Sequence, residues 1–586
     1  MIWAACALAC LSALVWMQAA AAFAVGMAAV CALLALGRWR QALPLMRRQR
    51  ALAGPPMRFL TPEELRAKMA ARPDCTWFGS GFAWEQLHAQ LAHELVTEQF
   101  PHLALAVGQA QNAQRGKGAG FLHGLGAPEE RDLYVPTAHL AGHLLVVGTT
   151  GAGKTRLMDI LATQCILRGE AVVVFDPKGD RDLAASLERS CRAAGSPDRF
   201  VYFHPANPAA SALINPLSSF SRQSELASRI AALIPSASAG DPFRAFGWMA
   251  MNKVITGLLA TRTSPDLVAI RRLLEMGPDQ LLKAVLEQHL DKVRPGWRAK
   301  VSAAEKANHE LRAYAAIYRA LPDELQDTDI DGLVNMVEHN REHFGKMVAS
   351  LIPVLTMLTT GPMRELLSPA RAPEGDTRRR TDMRAVITER KVVYIALDSL
   401  SDAVVGSAIG SMLLSDLAAV AGDIYNRHGG GPQVNVFVDE AAEVINDPTI
   451  QLLNKGRGAG FRLTVLTQTL ADLEVRLGST AKARMALGNL NNQLILRTTD
   501  GGSQKYLAEN MPETVLYTIE RSQSTSSGTG EPSAFSGSFT ERSTQTTTPL
   551  ISGPTMGLLP DLHYFVKIGG SATYKGVLPI LREAQA

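Results

Sequence analysis

The sequence predicts an α/β protein with a largely parallel sheet, an inserted all-α domain and an N-terminal transmembrane helical hairpin. Three observations predict it. Short, wholly apolar runs recur between helical patterns, as strands buried on both faces must read. Between residues 217 and 366 that alternation stops and only helical spacing persists, for example in AFGWMAMNKVITGLLA (245–260). Ile2 to Leu36 contains no charged residue.

The apolar N-terminal run comes first. As one helix its 35 residues would reach about 52 Å, whereas a bilayer core is about 30 Å thick. Two short spans within residues 1–37, turning near Gln18, fit better. Arg38, Arg40, Arg47, Arg48 and Arg50 follow at once and hold that end in the cytoplasm by the positive-inside rule. The competing reading is a cleaved signal peptide, since AAAAFA (19–24) resembles a cleavage site. It lacks a basic leading segment, and export would strand a nucleotide-binding loop where ATP is scarce. Residues 38–140 read as a linker and lead-in region. Gly54, Pro55 and Pro56 mark a boundary, and 81–100 has helical spacing.

The α/β domain falls into two parts, 141–216 and 367–586, around the 217–366 insertion. Strands are expected at 143–147, 171–175 and 201–204, then at 391–397, 434–438, 462–468 and 493–497. A last pair is expected at 563–569 and 574–581. Residues 521–549 are rich in Ser, Thr and Gly and are expected to form a flexible loop.

Composition narrows the function only slightly. Hydrophobic residues make up 47% and charged residues 19%, enough for a core and against wholesale disorder. A net charge of +4 is too small to prove a nucleic-acid partner. The six cysteines show no C-x-x-C spacing, so neither a zinc site nor a disulfide framework is indicated.

The chemistry concentrates in HLLVVGTTGAGKTRLMDI (143–160). Gly148, Thr149, Thr150, Gly151, Ala152, Gly153, Lys154 and Thr155 fill G-x-x-x-x-G-K-[ST] between a strand and a helix. In such a loop backbone N–H groups cradle phosphate, the lysine reaches the β- and γ-phosphates of ATP, and the threonine hydroxyl ligates Mg²⁺. VNVFVDEAAEV (434–444) is an apolar strand ending in two acids: Asp439 would hold Mg²⁺ through water and Glu440 would polarise the attacking water. Gln468 ends the next strand, at the edge where open α/β sheets bind ligands; it is either a water-orienting residue or a surface amide. Arg457, between glycines, has three readings: an arginine finger for a neighbour's nucleotide, a DNA-phosphate contact, or a solvated charge. FDPKGD (175–180) puts Asp176, Lys178 and Asp180 at the same edge without a defined role.

GTTGAGKT (148–155), FDPKGD (175–180), VFVDEAAEV (436–444) and LLNKGRGAGFRLTVLTQTLADL (452–473), in this order, resemble the type IV coupling proteins, the TraD/TraG family of conjugation ATPases. GFAWEQLHAQ (81–90) and FGKMVASLIPVL (344–355) look most like the TraD of integrative conjugative elements, so the resemblance covers most of the chain. It implies a RecA-like P-loop NTPase motor, a homo-hexameric ring anchored in the bacterial inner membrane with the motor in the cytoplasm. It also implies partners: a relaxase–DNA complex, single- and double-stranded DNA, and the components of a type IV secretion channel. On it, Lys154, Thr155, Asp439 and Glu440 keep the roles given above, Gln468 matches the third motor motif and Arg457 the inter-subunit arginine. The membrane arms depart from the pattern in being short.

Residues 292–319 mix Lys and Arg with Trp297, Tyr314 and Tyr318, which reads either as a phosphate-gripping, base-stacking surface or as an amphipathic helix with buried rings. The run Arg378–Arg380 reads as solvated loop charge. Other functions with this framework are a protein-effector export ATPase, an FtsK-like DNA translocase, and a membrane scaffold that binds nucleotide without turnover. Against the translocase, residues 550–586 are too few for a winged-helix DNA reader.

Overall fold

The computed structural model describes residues 2–16, 21–52, 54–97, 118–233, 242–301, 309–338, 345, 348–349, 351–428, 431–527, 535–570 and 572–582. Its centre is one 11-stranded sheet. In chain order the strands are β1 (Cys75–Ala83), β2 (Arg131–Pro136), β3 (Leu144–Val147), β4 (Ala171–Asp176), β5 (Phe200–Phe203), β6 (Val392–Ala396), β7 (Val434–Val438), β8 (Phe461–Thr467), β9 (Asn492–Ile495), β10 (His563–Ile568) and β11 (Ala572–Val577). Across the sheet they run β2-β1-β11-β10-β9-β3-β8-β7-β4-β6-β5. From β9 to β5 neighbours are parallel, and from β9 outward to β2 they are antiparallel.

The parallel half follows from composition. Every residue of β3, β4, β6 and β7 is buried, which is why these strands read as continuous apolar runs rather than alternating ones. Helices Lys154–Leu167 and Ala403–His428 contribute to the two cores on opposite faces of the sheet: Leu157, Met158 and Leu161 in one, Ile409, Leu413 and Leu417 in the other. The register sets Val438 beside Phe175 and Val465, and Thr467 beside Val147. The residues that follow β3, β4, β7 and β8 therefore emerge along one edge.

Two expectations are corrected. The 38–140 region is not only a linker and lead-in: β1 and β2 extend the main sheet, and the helix expected over 81–100 starts at Gln86 and runs to Val96. β1 reads TWFGSGFA over 76–83, and its glycines break any strand periodicity. At Gly81 a Cβ would sit 2.1 Å from the Lys575 carbonyl oxygen, so the close approach of β11 requires glycine there. Residues 521–549 are not simply a loop either. Glu513–Ser527 and Phe535–Pro549 pair antiparallel in continuous register as a long ribbon. Threonine favours extended backbone, and the turn-forming Gly and Pro lie in 528–532, outside the described residues.

Among the described residues the insertion is mainly helical, from Gln223–Ala231 to Met363–Leu367. Its base is closed by a short parallel bridge, Leu213 beside Arg380 and Ile214 beside Thr381, so the chain leaves and re-enters the α/β domain at one place. Beneath it the buried Arg229 guanidinium lies 3.0 Å from the buried Asp416 carboxylate. Trp297, Tyr314 and Tyr318 are all at most 4% exposed, and their polar atoms donate to Asp291, Glu310 and Asp331. This overturns the base-stacking reading of 292–319 for these rings. Arg378 is likewise committed, to Asp376 at 2.6 Å and Glu365 at 2.5 Å.

The N-terminal helices are Ile2–Trp16 and Ala21–Ala51; the turn expected near Gln18 lies outside the described residues. By length and composition Ala21–Ala51 is apolar and long enough to cross a membrane. Ile2–Trp16 is shorter, about 22 Å at 1.5 Å per residue. Phe23, Leu33 and other large apolar side chains of the second helix are exposed, as a lipid-facing surface is. Ala403–Arg427 passes the same length test but packs into the core described above.

Candidate functional site

The site lies where β3, β4, β7 and β8 end. Gly148–Thr155 leaves β3 and turns into helix Lys154–Leu167. Gly153 caps that helix with φ +114°, a conformation that side chains with a Cβ rarely adopt. At Gly148 a Cβ would lie 2.7 Å from Leu496 Cβ. The loop is pinned from outside: Thr149 N–H donates to the Arg497 carbonyl (2.8 Å) and Leu562 N–H to the Ala152 carbonyl (2.9 Å).

Lys154 is 6% exposed. Its ammonium donates to the Gly148 carbonyl (2.7 Å) and, at 3.5 Å, to that of Thr149. Burial lowers its pKa, opposed by the charges of Asp439 and Glu440. Among the described residues this buried cation has no carboxylate within ion-pair distance, so the loop is shaped and charged for an anion from outside the chain. That is the donor set a phosphate requires. Thr155 follows, half-buried, at the same helix N-terminus.

Asp439 follows β7 and is 4% exposed. Burial, then the neighbouring Asp176 charge, push its carboxyl up to about 6, against the pull of Lys154. Hard oxygen donors gathered beside a phosphate loop suit Mg²⁺, and Asp439 and Thr155 are the residues that would hold it. Glu440 stands next at φ +41°, a left-handed backbone that is costly for a residue with a side chain. Its Oε1 accepts from Gln468 Nε2 (2.8 Å) and lies 2.5 Å from Lys178 Nζ. Burial alone would raise its pKa, but Lys178 and Gln468 outweigh it and hold the carboxyl low. Gln468 in turn accepts from the Thr150 hydroxyl (3.1 Å). Thr150, Gln468, Glu440 and Lys178 thus form one chain of contacts from the loop to β4.

The FDPKGD segment divides its work. Asp176 accepts from the N–H groups of Lys178 (2.9 Å) and Asp180 (2.8 Å) and from the Tyr394 hydroxyl (2.6 Å), so it builds the turn. Asp180 caps helix Arg181–Ala193 through two backbone N–H groups. Lys178 pairs directly with Glu440, and Asp176 acts on the site through its charge beside Asp439. Sequence reasoning singled out this segment but could not separate the three roles. It gave no sign of Arg497, whose carbonyl pins the loop and whose guanidinium lies 2.5 Å from Asp561.

The expected residues are not all together. Gly148–Thr155, Asp439, Glu440 and Gln468 share one sheet edge. Arg457 does not: it lies exposed in the turn Gly456–Ala459 that enters β8, at the opposite end of that strand from Gln468. Seven extended residues put about 23 Å between the two ends.

Two family models match the chain. Residues 433–561 match the one described as the TraM recognition site of TraD and TraG, and residues 129–335 match the central domain of helicase HerA. No curated protein matches. Among solved structures, the chain is similar to the bacterial conjugative coupling protein TrwB in an unbound form, at 16% identity and a TM-score of 0.47, covering 77% of this chain and 89% of that one. A complex of TrwB with the non-hydrolysable ATP analogue ADPNP gives 16%, 0.48, 77% and 88%. VirB4 of Thermoanaerobacter pseudethanolicus gives 13%, 0.38, 76% and 89%.

Proposed function

We propose, from the resemblance to the type IV coupling proteins that the two matched segments bear out, that the chain is a membrane-anchored ATPase. It would pass a relaxase–DNA complex to a type IV secretion channel and power transfer of single-stranded DNA. The observation that carries the ATPase reading is the contact chain from Thr150 through Gln468 to Glu440.

In this reading the N–H groups of Gly151, Gly153, Lys154 and Thr155 bind the ATP phosphates, while those of Gly148, Thr149 and Ala152 hold the loop to carbonyl oxygens of the chain. Lys154 exchanges its carbonyl partner for phosphate oxygen. Thr155 and Asp439 hold Mg²⁺, which supplies charge neutralisation on the phosphates when bound. Glu440 takes the proton of the attacking water, and Gln468, bonded to both the loop and Glu440, orients that water. Arg457 would complete a neighbour's site in a homo-hexamer, since its own lies across the sheet. The apolar N-terminal helices, followed by Arg38–Arg50, support an inner-membrane anchor with the motor in the cytoplasm. The descriptions of the matched families, a helicase and a TraM recognition site, support DNA and its processing proteins as partners.

The test is the steady-state ATPase rate of the full chain in membranes, with and without single- and double-stranded DNA, over a range of protein density. A rate that rises with DNA and with density is expected. A rate indifferent to DNA would replace the DNA substrate by a protein one.

A further inference from the structure

Lys178 has no place in the reading above, yet it makes the shortest contact with the residue that reading depends on. Its backbone is fixed. Asp176 ties down the N–H groups of Lys178 and Asp180, Ser399 N–H donates to the Pro177 carbonyl (2.9 Å) and Leu397 N–H to the Asp176 carbonyl (2.9 Å). Gly179 takes φ +70° to complete the turn. A rigid turn at the end of β4 therefore delivers the ammonium to the neighbouring end of β7.

The contact is with the same oxygen that Gln468 occupies. Glu440 Oε1 receives Nζ of Lys178 at 2.5 Å and Nε2 of Gln468 at 2.8 Å, while the left-handed backbone fixes where the side chain starts. An oxygen with two donors, one of them charged, is poorly placed to accept a proton from water. The Lys178 side chain is also 45% exposed, against 19% for Glu440. One end of the pair is thus free to leave into the cleft at little desolvation cost. Lys178 and Lys154 feel each other's charge, so the ammonium is within range of the loop where phosphate charge would collect.

We propose that Lys178 is a positioning residue that restrains Glu440, and that the phosphate charge of a bound nucleoside triphosphate draws it only partly off, so that the pair stays closed in part of the ATP-bound molecules and holds kcat down. The proposal rests on the reading of Glu440 as the water-activating carboxylate. It makes hydrolysis conditional on the loop being filled, through a residue outside the loop.

Two readouts on the full chain in membranes test it. The first is kcat and KM for ATP of wild type, Lys178→Met and Lys178→Arg without DNA. Lys178→Met keeps the length and loses the charge; its kcat is expected to rise about twofold to fivefold with KM within about twofold, the size of a partly screened ion pair. Lys178→Arg restores the charge and should stay near wild type. The second is acylation of Lys178 by an amine-reactive reagent, read by mass spectrometry. Labelling should be slow in the empty wild type, faster in Glu440→Gln, and altered by a non-hydrolysable ATP analogue with Mg²⁺. A Lys178→Met kcat equal to or below wild type overturns the restraint, as does equal labelling of wild type and Glu440→Gln. If wild type shows no turnover, the ATPase reading fails by itself and the labelling still decides whether Lys178 is held by Glu440.

Discussion

A carboxylate that is to take a proton from water must be held near the nucleotide loop without being spent on another partner, and the three side chains around Glu440 separate those demands. Lys154 and Glu440 should fail differently. Lys154→Ala removes the cation that meets phosphate, so both nucleotide binding and turnover should be lost. Glu440→Gln keeps the shape but loses the basicity and the charge that pairs with Lys178, so turnover should fall about 10²- to 10⁴-fold, the range of a general base, while ATP still binds. Gln468→Ala should lower kcat about tenfold or more and leave affinity within a few-fold, because among the described residues Gln468 is bonded to the loop through the Thr150 hydroxyl. Paired equilibrium binding and single-turnover rates distinguish the three; wild-type turnover in Glu440→Gln would remove it from the role. These residues were legible in the sequence because each sits at a strand or helix terminus that apolar spacing locates. Lys178 was singled out without a role and Arg497 not at all, since their significance lies in contacts between strands that only the order of the sheet brings together.

At the scale of elements, the antiparallel edge of the sheet is tied to the membrane-proximal chain by a buried titratable cluster. His123, 1% exposed, sits 3.2 Å from Glu130, and Arg58 lies 2.7 Å from the same carboxylate. Beside them Lys575 Nζ is 3.1 Å from His563 Nδ1. Burial holds His123 down to about 4 despite Glu130, and the His123 ring, with Arg58, holds Glu130 down to about 2 against its burial. Both lie below their ordinary values of 6.5 and 4.5, so the unfolded segment binds protons first as pH falls. Stability that is full above pH 6.5 is therefore lost in two windows, from about 6.5 to 4 for His123 and from about 4.5 to 2 for Glu130. Hydrogen exchange of 121–130 and β11, corrected for intrinsic rate, should show protection falling as pH drops from 6.5 to 4; His123→Gln should flatten that part of the profile, and a flat wild-type profile would refute it. This edge is also where the sequence was least readable. Parallel strands such as VNVFV announce themselves because both faces are buried. β1 carries glycines where β11 passes close, and the ribbon of Glu513–Ser527 and Phe535–Pro549 is rich in Ser and Thr and largely exposed over 519–524 and 538–547, so neither shows the apolar signal that marks a strand.

At the scale of the whole molecule, the position of Arg457 decides what one chain can do alone. The nucleotide loop and Gln468 lie at one end of β8 and Arg457 at the other, exposed and about 23 Å away along the strand. If Arg457 acts on a nucleotide, it acts on a neighbour's, and each complete site is shared by two copies. Arg457→Ala should then leave nucleotide affinity of the individual chain unchanged and lower assembled turnover about 10³-fold or more, as loss of an arginine finger does. The decisive measurement mixes two inactive proteins, Arg457→Ala and Lys154→Ala, in the same membranes. An Arg457→Ala chain has an intact loop and a Lys154→Ala chain an intact arginine, so a junction between them in the right order rebuilds one working site. With random mixing in a closed head-to-tail ring, about one site in four should recover, and activity should peak at equal proportions of the two. A mixture as inactive as its components would mean that Arg457 serves no neighbouring site, and would return it to the DNA-phosphate or solvated readings that its exposure equally permits.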